Sequence, residues 1–177
     1  MRKFMFLALL LAAPVFGQDQ TADLRTAAGC GPNKTQFSVK TDPKQHSVTQ
    51  PEPGKAVVYV IEQGKPEGGE VKVTTRVGLD GNWVGANHGQ SSLSFAVEPG
   101  EHHLCVDWQS SLKSRQKLSG AANLTAEAGK AYYFRTEVVL TQATESHDER
   151  LSIKAVDAAE GILLVSKSVP SNWKMKN

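Results

Sequence analysis

The stretch Ala56-Val57-Val58-Tyr59-Val60-Ile61 decides the fold class of this chain. It is apolar or aromatic throughout and dominated by β-branched side chains, which fit the pleated surface of a sheet. A short apolar run without alternation is typical of a strand that is buried on both faces. We therefore predict a central buried strand at residues 56–61.

Shorter strand-like runs follow this stretch, and turn signals separate them. Apolar and polar residues alternate in most of these runs, which indicates half-buried strands. The runs are residues 71–77, 92–97, 102–108, 131–140 and 151–155. Asp80-Gly81 and Pro99-Gly100 are turn signals of the kind that joins neighbouring strands.

This pattern predicts an all-β fold, specifically an antiparallel β-sandwich that is immunoglobulin-like or related. A parallel α/β fold is disfavoured because long amphipathic helices are missing between the strands. Asp157 followed by Glu160 is a helix-capping pattern and predicts one short C-terminal helix. A final strand at residues 162–165 is the competing interpretation.

The segment from Met1 to Gly17 has the pattern of a secretory signal peptide. Arg2 and Lys3 give a positive start, an apolar run follows, and Gly17 precedes the polar Gln18. The run is shorter than the roughly 20 residues that a membrane helix needs. We expect export to the periplasm or the medium, with no transmembrane span in the mature chain. No cysteine follows the run directly, so a lipid anchor is not predicted.

Removing the leader changes the charge of the chain. The net charge of +2 falls to zero without Arg2 and Lys3, because residues 1–17 contain no acidic residue. A neutral mature chain gives no reason to expect nucleic acid as a partner. We divide the remainder into a flexible N-terminal arm and proline-containing linker at residues 18–54, a β-sandwich domain at 55–169, and a polar tail at 170–177.

The mature chain contains two cysteines, Cys30 and Cys105. An even pair in an exported protein predicts one disulfide. Two unpaired thiols are the alternative.

The candidate ligand-binding residues are Trp83, His102, His103 and Trp108. An exposed aromatic ring could stack on a sugar or cover a partner, and Trp83, beside turn glycines, is the best candidate. His102 and His103 with Asp107 are the nearest approach to a metal cluster. Neighbouring strand residues point to opposite faces, so the two histidines would not share one ion. We predict no metal site, no cofactor and no catalytic residues.

The middle of the chain resembles a known family of bacterial proteins. The resemblance depends on the strand at residues 57–61 and on Val77-Gly78-Leu79-Asp80-Gly81 with Val84-Gly85. It continues with Val97-Glu98-Pro99-Gly100-Glu101-His102 and Ala126-Glu127-Ala128-Gly129-Lys130. The order is similar to domain of unknown function family 2846, which consists of small exported or lipid-anchored proteins. The resemblance covers residues 55–164 and implies an exported envelope β-sandwich; it brings no catalytic residues.

Three functional hypotheses follow. The first is a non-enzymatic exported envelope protein that binds or scaffolds an unknown envelope protein or glycan. The second is a carbohydrate- or peptide-binding module that uses exposed aromatic residues. The third is an unrecognised hydrolase in which His102 or His103 acts as the base, although the chain contains no Gly-x-Ser-x-Gly elbow.

Overall fold

A computed structural model describes residues 19–42, 44–45, 49–63, 73–109, 118–143 and 146–176. The predicted signal peptide at residues 1–17 lies outside the described residues.

The described chain forms two α-helices and ten β-strands. The helices are α1 (Asp19–Ala27) and α2 (Ala158–Lys167). The strands are β1 (Gln36–Thr41), β2 (Ala56–Glu62), β3 (Thr74–Leu79), β4 (Asn82–Asn87), β5 (Ser91–Val97), β6 (Gly100–Gln109), β7 (Ser119–Ala126), β8 (Ala131–Ala143), β9 (Ser146–Val156) and β10 (Val169–Lys176).

The larger sheet contains six strands in the order β1-β10-β5-β2-β8-β9. The predicted central strand is confirmed, since β2 lies inside this sheet and every one of its residues is buried. It runs antiparallel to β5 and parallel to β8, and β10 also pairs parallel with β5. The sheet is therefore mixed rather than purely antiparallel. After β5 the chain forms β6 and β7 of the second sheet. It then returns to the larger sheet as β8, which lies on the side of β2 opposite β5.

The smaller sheet is antiparallel and contains four strands in the order β4-β3-β6-β7. Alternate residues of both sheets face each other and form the main core, which includes Val58 and Val60 of β2 with Val77 of β3 and Leu104 and Val106 of β6. The two layers confirm the predicted β-sandwich.

The predicted C-terminal helix is present as α2. Asp157 is its N-cap, and the Asp157 side chain accepts a 2.8 Å hydrogen bond from the backbone N–H of Glu160. Leu164 and Val165 bury one side of the helix against the outer face of β2. The competing strand at residues 162–165 is therefore excluded. Helix formation is favoured here because the cap satisfies a backbone donor that would otherwise lack a partner.

The segments predicted as a flexible arm and a polar tail contain regular structure. Residues 19–27 form α1, and β1 lies within the predicted linker, where it pairs along its whole length with β10. Phe37 of β1 and Trp173 of β10 hold this pair together through an edge-to-face ring contact with centroids 5.5 Å apart. The local pattern missed the pair because the remaining residues of both strands are mostly polar, and only tertiary pairing stabilises them.

Candidate functional site

The outer face of the smaller sheet is covered by the N-terminal segment. Cys30 forms the predicted disulfide with Cys105 of β6, with 5.0 Å between the two Cα atoms. Both cysteines belong to a second apolar cluster that also contains Phe37, Trp83 and Ala86. The bridge therefore fixes the N-terminal segment on the sheet face opposite Leu104, Val106 and Trp108, as the strand alternation predicts.

Trp83 is part of this covered face rather than an exposed anchor. Its side chain packs beside the disulfide, and the residue is only 7% exposed. Its indole N–H donates a 2.9 Å hydrogen bond to the carbonyl oxygen of Pro32, and the Arg76 guanidinium lies 4.6 Å from its ring centroid. Pro32 and Arg76 occupy the contacts that a ligand would need, so the stacking role predicted for Trp83 has no free ring face.

Asp107, considered in the sequence as a metal ligand, is instead the centre of a buried ion cluster. One carboxylate oxygen bonds the Arg76 guanidinium and the other bonds Arg25 of α1, each at 2.5 Å. Arg76 also donates to the carbonyl oxygens of Asn33 and Thr35 at 3.0 and 2.8 Å. These bonds connect α1 and the following segment to the sheet. Sequence reasoning missed the cluster because its members are 31 and 82 residues apart along the chain.

Both ring nitrogens of His102 lie within hydrogen-bonding distance of an acceptor oxygen. Nδ1 lies 2.7 Å from a carboxylate oxygen of Asp80, and Nε2 lies 2.8 Å from the carbonyl oxygen of Glu98. Both bonds can form together only when both nitrogens carry protons. Partial burial opposes the charge, but these hydrogen bonds outweigh it and raise the pKa of His102. A general base needs a free ring nitrogen, so this arrangement counts against the hydrolase hypothesis for His102.

His103 also approaches Asp80 and is more exposed than His102. Its side chain is 55% exposed and its Nδ1 lies 3.9 Å from Asp80, while its backbone N–H donates a 2.8 Å bond to the same carboxylate. Asp80 has a positive φ of 49° in the Asp80-Gly81 turn, which places its side chain over both histidines. Among the described residues, no group of three or more His, Cys, Asp or Glu is placed to hold a metal ion.

The four predicted site residues do not converge on one cleft. Trp83 lies on the outer face, whereas Trp108 is 4% exposed and packs in the main core between the sheets. His102 is the third residue of β6 and Trp108 is the last but one, and an extended strand separates such positions by several residue lengths. The histidines therefore lie at the opposite end of the sandwich from Trp108.

Trp108 does belong to a polar group that the sequence did not reveal. Thr75 of β3 pairs with Asn87 of β4 on one side and with Trp108 of β6 on the other, so three polar side chains form a row on the inner face. Glu62, the last residue of β2, faces this row from the larger sheet. Each of the four is at most 7% exposed. We call Glu62, Thr75, Asn87 and Trp108 the Glu62 cluster.

The Glu62 cluster contains polar atoms that the fold leaves without partners. Glu62 Oε2, Thr75 Oγ1, Asn87 Oδ1 and Trp108 Nε1 are buried, and within the described part of the chain none makes a hydrogen bond of good geometry. Burial raises the pKa of Glu62 to about 8, and the nearby Thr75 hydroxyl offsets only part of this rise. Buried polar atoms are nearly always paired in folded proteins, so such a group calls for an explanation, of which a bound molecule is one. A glutamate that ends an otherwise apolar strand was the signal in the sequence.

Comparison with known proteins adds no assignment. No family model, no curated protein and no solved structure matches this chain. The resemblance to domain of unknown function family 2846 thus stays a prediction. Among the described residues, neither helix is long and apolar enough to cross a bilayer.

Proposed function

We propose that the protein is exported and acts in the cell envelope as a non-enzymatic module that binds or scaffolds another molecule. The observation that carries this proposal is the attachment of the N-terminal segment to the sandwich. The disulfide at Cys30 and the Arg25–Asp107 ion pair both lie a short way beyond the predicted leader. Disulfides persist in oxidising compartments and are rare in the cytosol. A bridge of this kind therefore supports export.

The arrangement of side chains supports binding over catalysis. His102 was a candidate for the catalytic base, but both of its ring nitrogens are occupied by hydrogen bonds to Asp80 and to the carbonyl oxygen of Glu98. The Glu62 cluster, by contrast, holds buried polar atoms that lack hydrogen-bond partners among the described residues. The second hypothesis, stacking on exposed aromatic residues, loses support because Trp83 and Trp108 are buried.

Export and bridge formation can be tested together. The full chain is produced in a bacterial host, the compartments are separated, and the intact mass and thiol alkylation of the protein are measured with and without reductant. We expect a periplasmic or secreted protein whose N-terminus lies near Gln18 and whose cysteines react only after reduction. The matched control lacks residues 2–17, and we expect it to stay in the cytosol with reactive thiols. An uncleaved cytosolic protein with two reactive thiols would contradict the proposal.

The hydrolase hypothesis has a separate test. His102→Ala and His103→Ala are compared with the unchanged protein in a panel of esterase, amidase and glycosidase assays. We expect no turnover above background in any of the three. A hydrolytic activity that disappears in either variant, with the fold intact by circular dichroism, would overturn the non-enzymatic assignment.

A further inference from the structure

The members of the Glu62 cluster lie at one end of the sandwich. Glu62 ends β2 and Asn87 ends β4, while Thr75 is the second residue of β3 and Trp108 the last but one of β6. Each of the four is therefore the first or second residue from a strand end.

A hydrogen bond to the larger sheet fixes the orientation of the Asn87 side chain in the cluster. Asn87 Nδ2 donates a 2.9 Å hydrogen bond to the carbonyl oxygen of Val60, which precedes Glu62 on the same strand. This bond fixes which end of the Asn87 amide remains available, and it leaves Oδ1 as an acceptor without a partner. Thr136 on the neighbouring strand β8 shows the contrasting case, since its hydroxyl donates to the carbonyl oxygen of Ile61 at 3.4 Å. The Thr75 hydroxyl, by contrast, lies beside the Glu62 carboxyl and has no other hydrogen-bond partner among the described residues.

The unpaired atoms form a mixed set of hydrogen-bonding groups. Asn87 Oδ1 can only accept a hydrogen bond, and Trp108 Nε1 can only donate one. The Thr75 hydroxyl can do both, and so can the Glu62 carboxyl when it carries its proton. An anion would offer no hydrogen-bond donor to the Asn87 oxygen, and a cation would offer no acceptor to the Trp108 N–H. A group with a donor beside an acceptor satisfies both at once.

The absence of net charge in the cluster also favours an uncharged ligand. Glu62 is the only ionisable member of the cluster, and burial keeps its carboxyl largely protonated near neutral pH. A neutral site surrounded by apolar core residues such as Val60 and Val77 penalises the desolvation of any ion that is not paired there.

We propose that the Glu62 cluster is a binding site for a small uncharged molecule that carries a hydrogen-bond donor beside an acceptor, as a carboxamide does. This inference adds a site and a ligand class to the binding role proposed above and rests on it. It concerns the folded, oxidised protein, so it can be tested whether or not the chain is exported.

The indole N–H of Trp108 provides a direct probe of the site. Uniformly ¹⁵N-labelled, oxidised full chain gives a separate indole resonance for each of the three tryptophans, and Trp108→Phe assigns the one of interest. Acetamide is titrated as the neutral probe, with acetate and ethylammonium as charged probes of similar size. We expect acetamide to shift the Trp108 indole resonance saturably. We expect acetate and ethylammonium to leave it unchanged.

Variants at Thr75 locate the binding. Thr75→Val removes the hydroxyl but keeps the shape, and we expect acetamide to bind about fivefold more weakly, as for the loss of one buried hydrogen bond. Thr75→Ser restores the hydroxyl and should restore most of the affinity. The matched control is Thr136→Val, a similarly buried threonine whose hydroxyl is already bonded, and it should leave acetamide binding unchanged.

Three results would overturn the inference. One is the absence of any saturable shift of the Trp108 resonance with acetamide. The second is equal affinity in Thr75→Val and the unchanged protein. The third is a long-lived water, seen as an exchange-independent cross-peak to the Trp108 indole N–H, that acetamide does not displace. Any of these results would contradict the proposed ligand site but not the proposed export. Failure of the fractionation experiment would contradict export but not the ligand site.

Discussion

Replacing Glu62 with glutamine is expected to stabilise the folded protein at neutral pH. Burial raises the pKa of Glu62 from 4.5 to about 8, so the folded chain holds a proton that the unfolded chain releases. A group whose pKa is raised by folding gives its full stability below the unfolded value, and this stability is lost as the pH rises toward the folded value. The window of loss therefore runs from pH 4.5 to about 8. Glutamine is neutral at every pH and fills nearly the same space.

The size of the effect follows from the two pKa values. Each unit of difference corresponds to about 1.4 kcal/mol, so the unchanged protein at pH 7 carries a penalty of about 3 kcal/mol from Glu62. Most of that penalty, about 2–3 kcal/mol, develops between pH 5 and pH 7. Glu62→Gln should not show it. The difference between the two stability curves should thus grow with pH, with Glu62→Gln the more stable at pH 7.

Urea unfolding at pH 5, 6 and 7 under oxidising conditions, followed by tryptophan fluorescence, measures this difference. The matched control is Glu137→Gln, because the hydrogen bond from Lys154 lowers the pKa of Glu137. Its contribution to stability is lost on acidification, so this variant should retain the loss of stability between pH 5 and 7. The reasoning is refuted if Glu62→Gln and the unchanged protein lose stability in parallel over this range.

The remaining predictions concern the N-terminal attachment and the histidine turn. Trp83→Ala should lower the free energy of unfolding by about 3–5 kcal/mol, as for a core aromatic, and a folded variant with unchanged stability would show that the ring is not packed. Asp107→Asn leaves Arg76 buried without its counter-charge and should cost about 3–5 kcal/mol, measured by urea unfolding; a cost below about 1 kcal/mol would contradict the ion cluster. His102→Gln should remove a contribution of about 0.5–1 kcal/mol that is present below pH 6.5 and lost as the pH rises through the raised pKa of His102. The cause of the raised pKa is checked by the His102 ring titration by NMR in a chain that keeps this histidine: the pKa of His102 should move back toward its ordinary value in Asp80→Asn.

Local pattern predicted those parts of the fold that local interactions stabilise. The run at residues 56–61 predicted the central strand, and Asp157 with Glu160 predicted α2, because a continuous apolar run and a capping pattern are both formed by neighbouring residues. The pairing of β1 with β10 escaped prediction because the two strands come from opposite ends of the chain and each is stabilised by the other. The parallel pairing of β2 with β8 is likewise a consequence of chain connection rather than of local sequence.

The features of the candidate site also fall into those that the sequence predicted and those that depend on tertiary contacts. The even pair of cysteines was sufficient to predict the bridge, since a disulfide within a chain that holds two cysteines can join only those two. The environment of each aromatic and histidine side chain was not predictable, because exposure depends on which segment covers it. Trp83 is covered by the Cys30 segment, and both nitrogens of His102 are occupied by the Asp80 turn and Glu98.

The sequence by itself determined the class of fold, the central strand, the C-terminal helix and the cysteine pair. Only the tertiary structure decided that Arg25 and Arg76 share the buried Asp107 carboxylate, and that Glu62 faces Thr75 inside the sandwich. The reason is physical. Strand and helix preferences depend on neighbours a few residues away, whereas burial, pKa and hydrogen-bond satisfaction depend on groups that only the folded chain brings together.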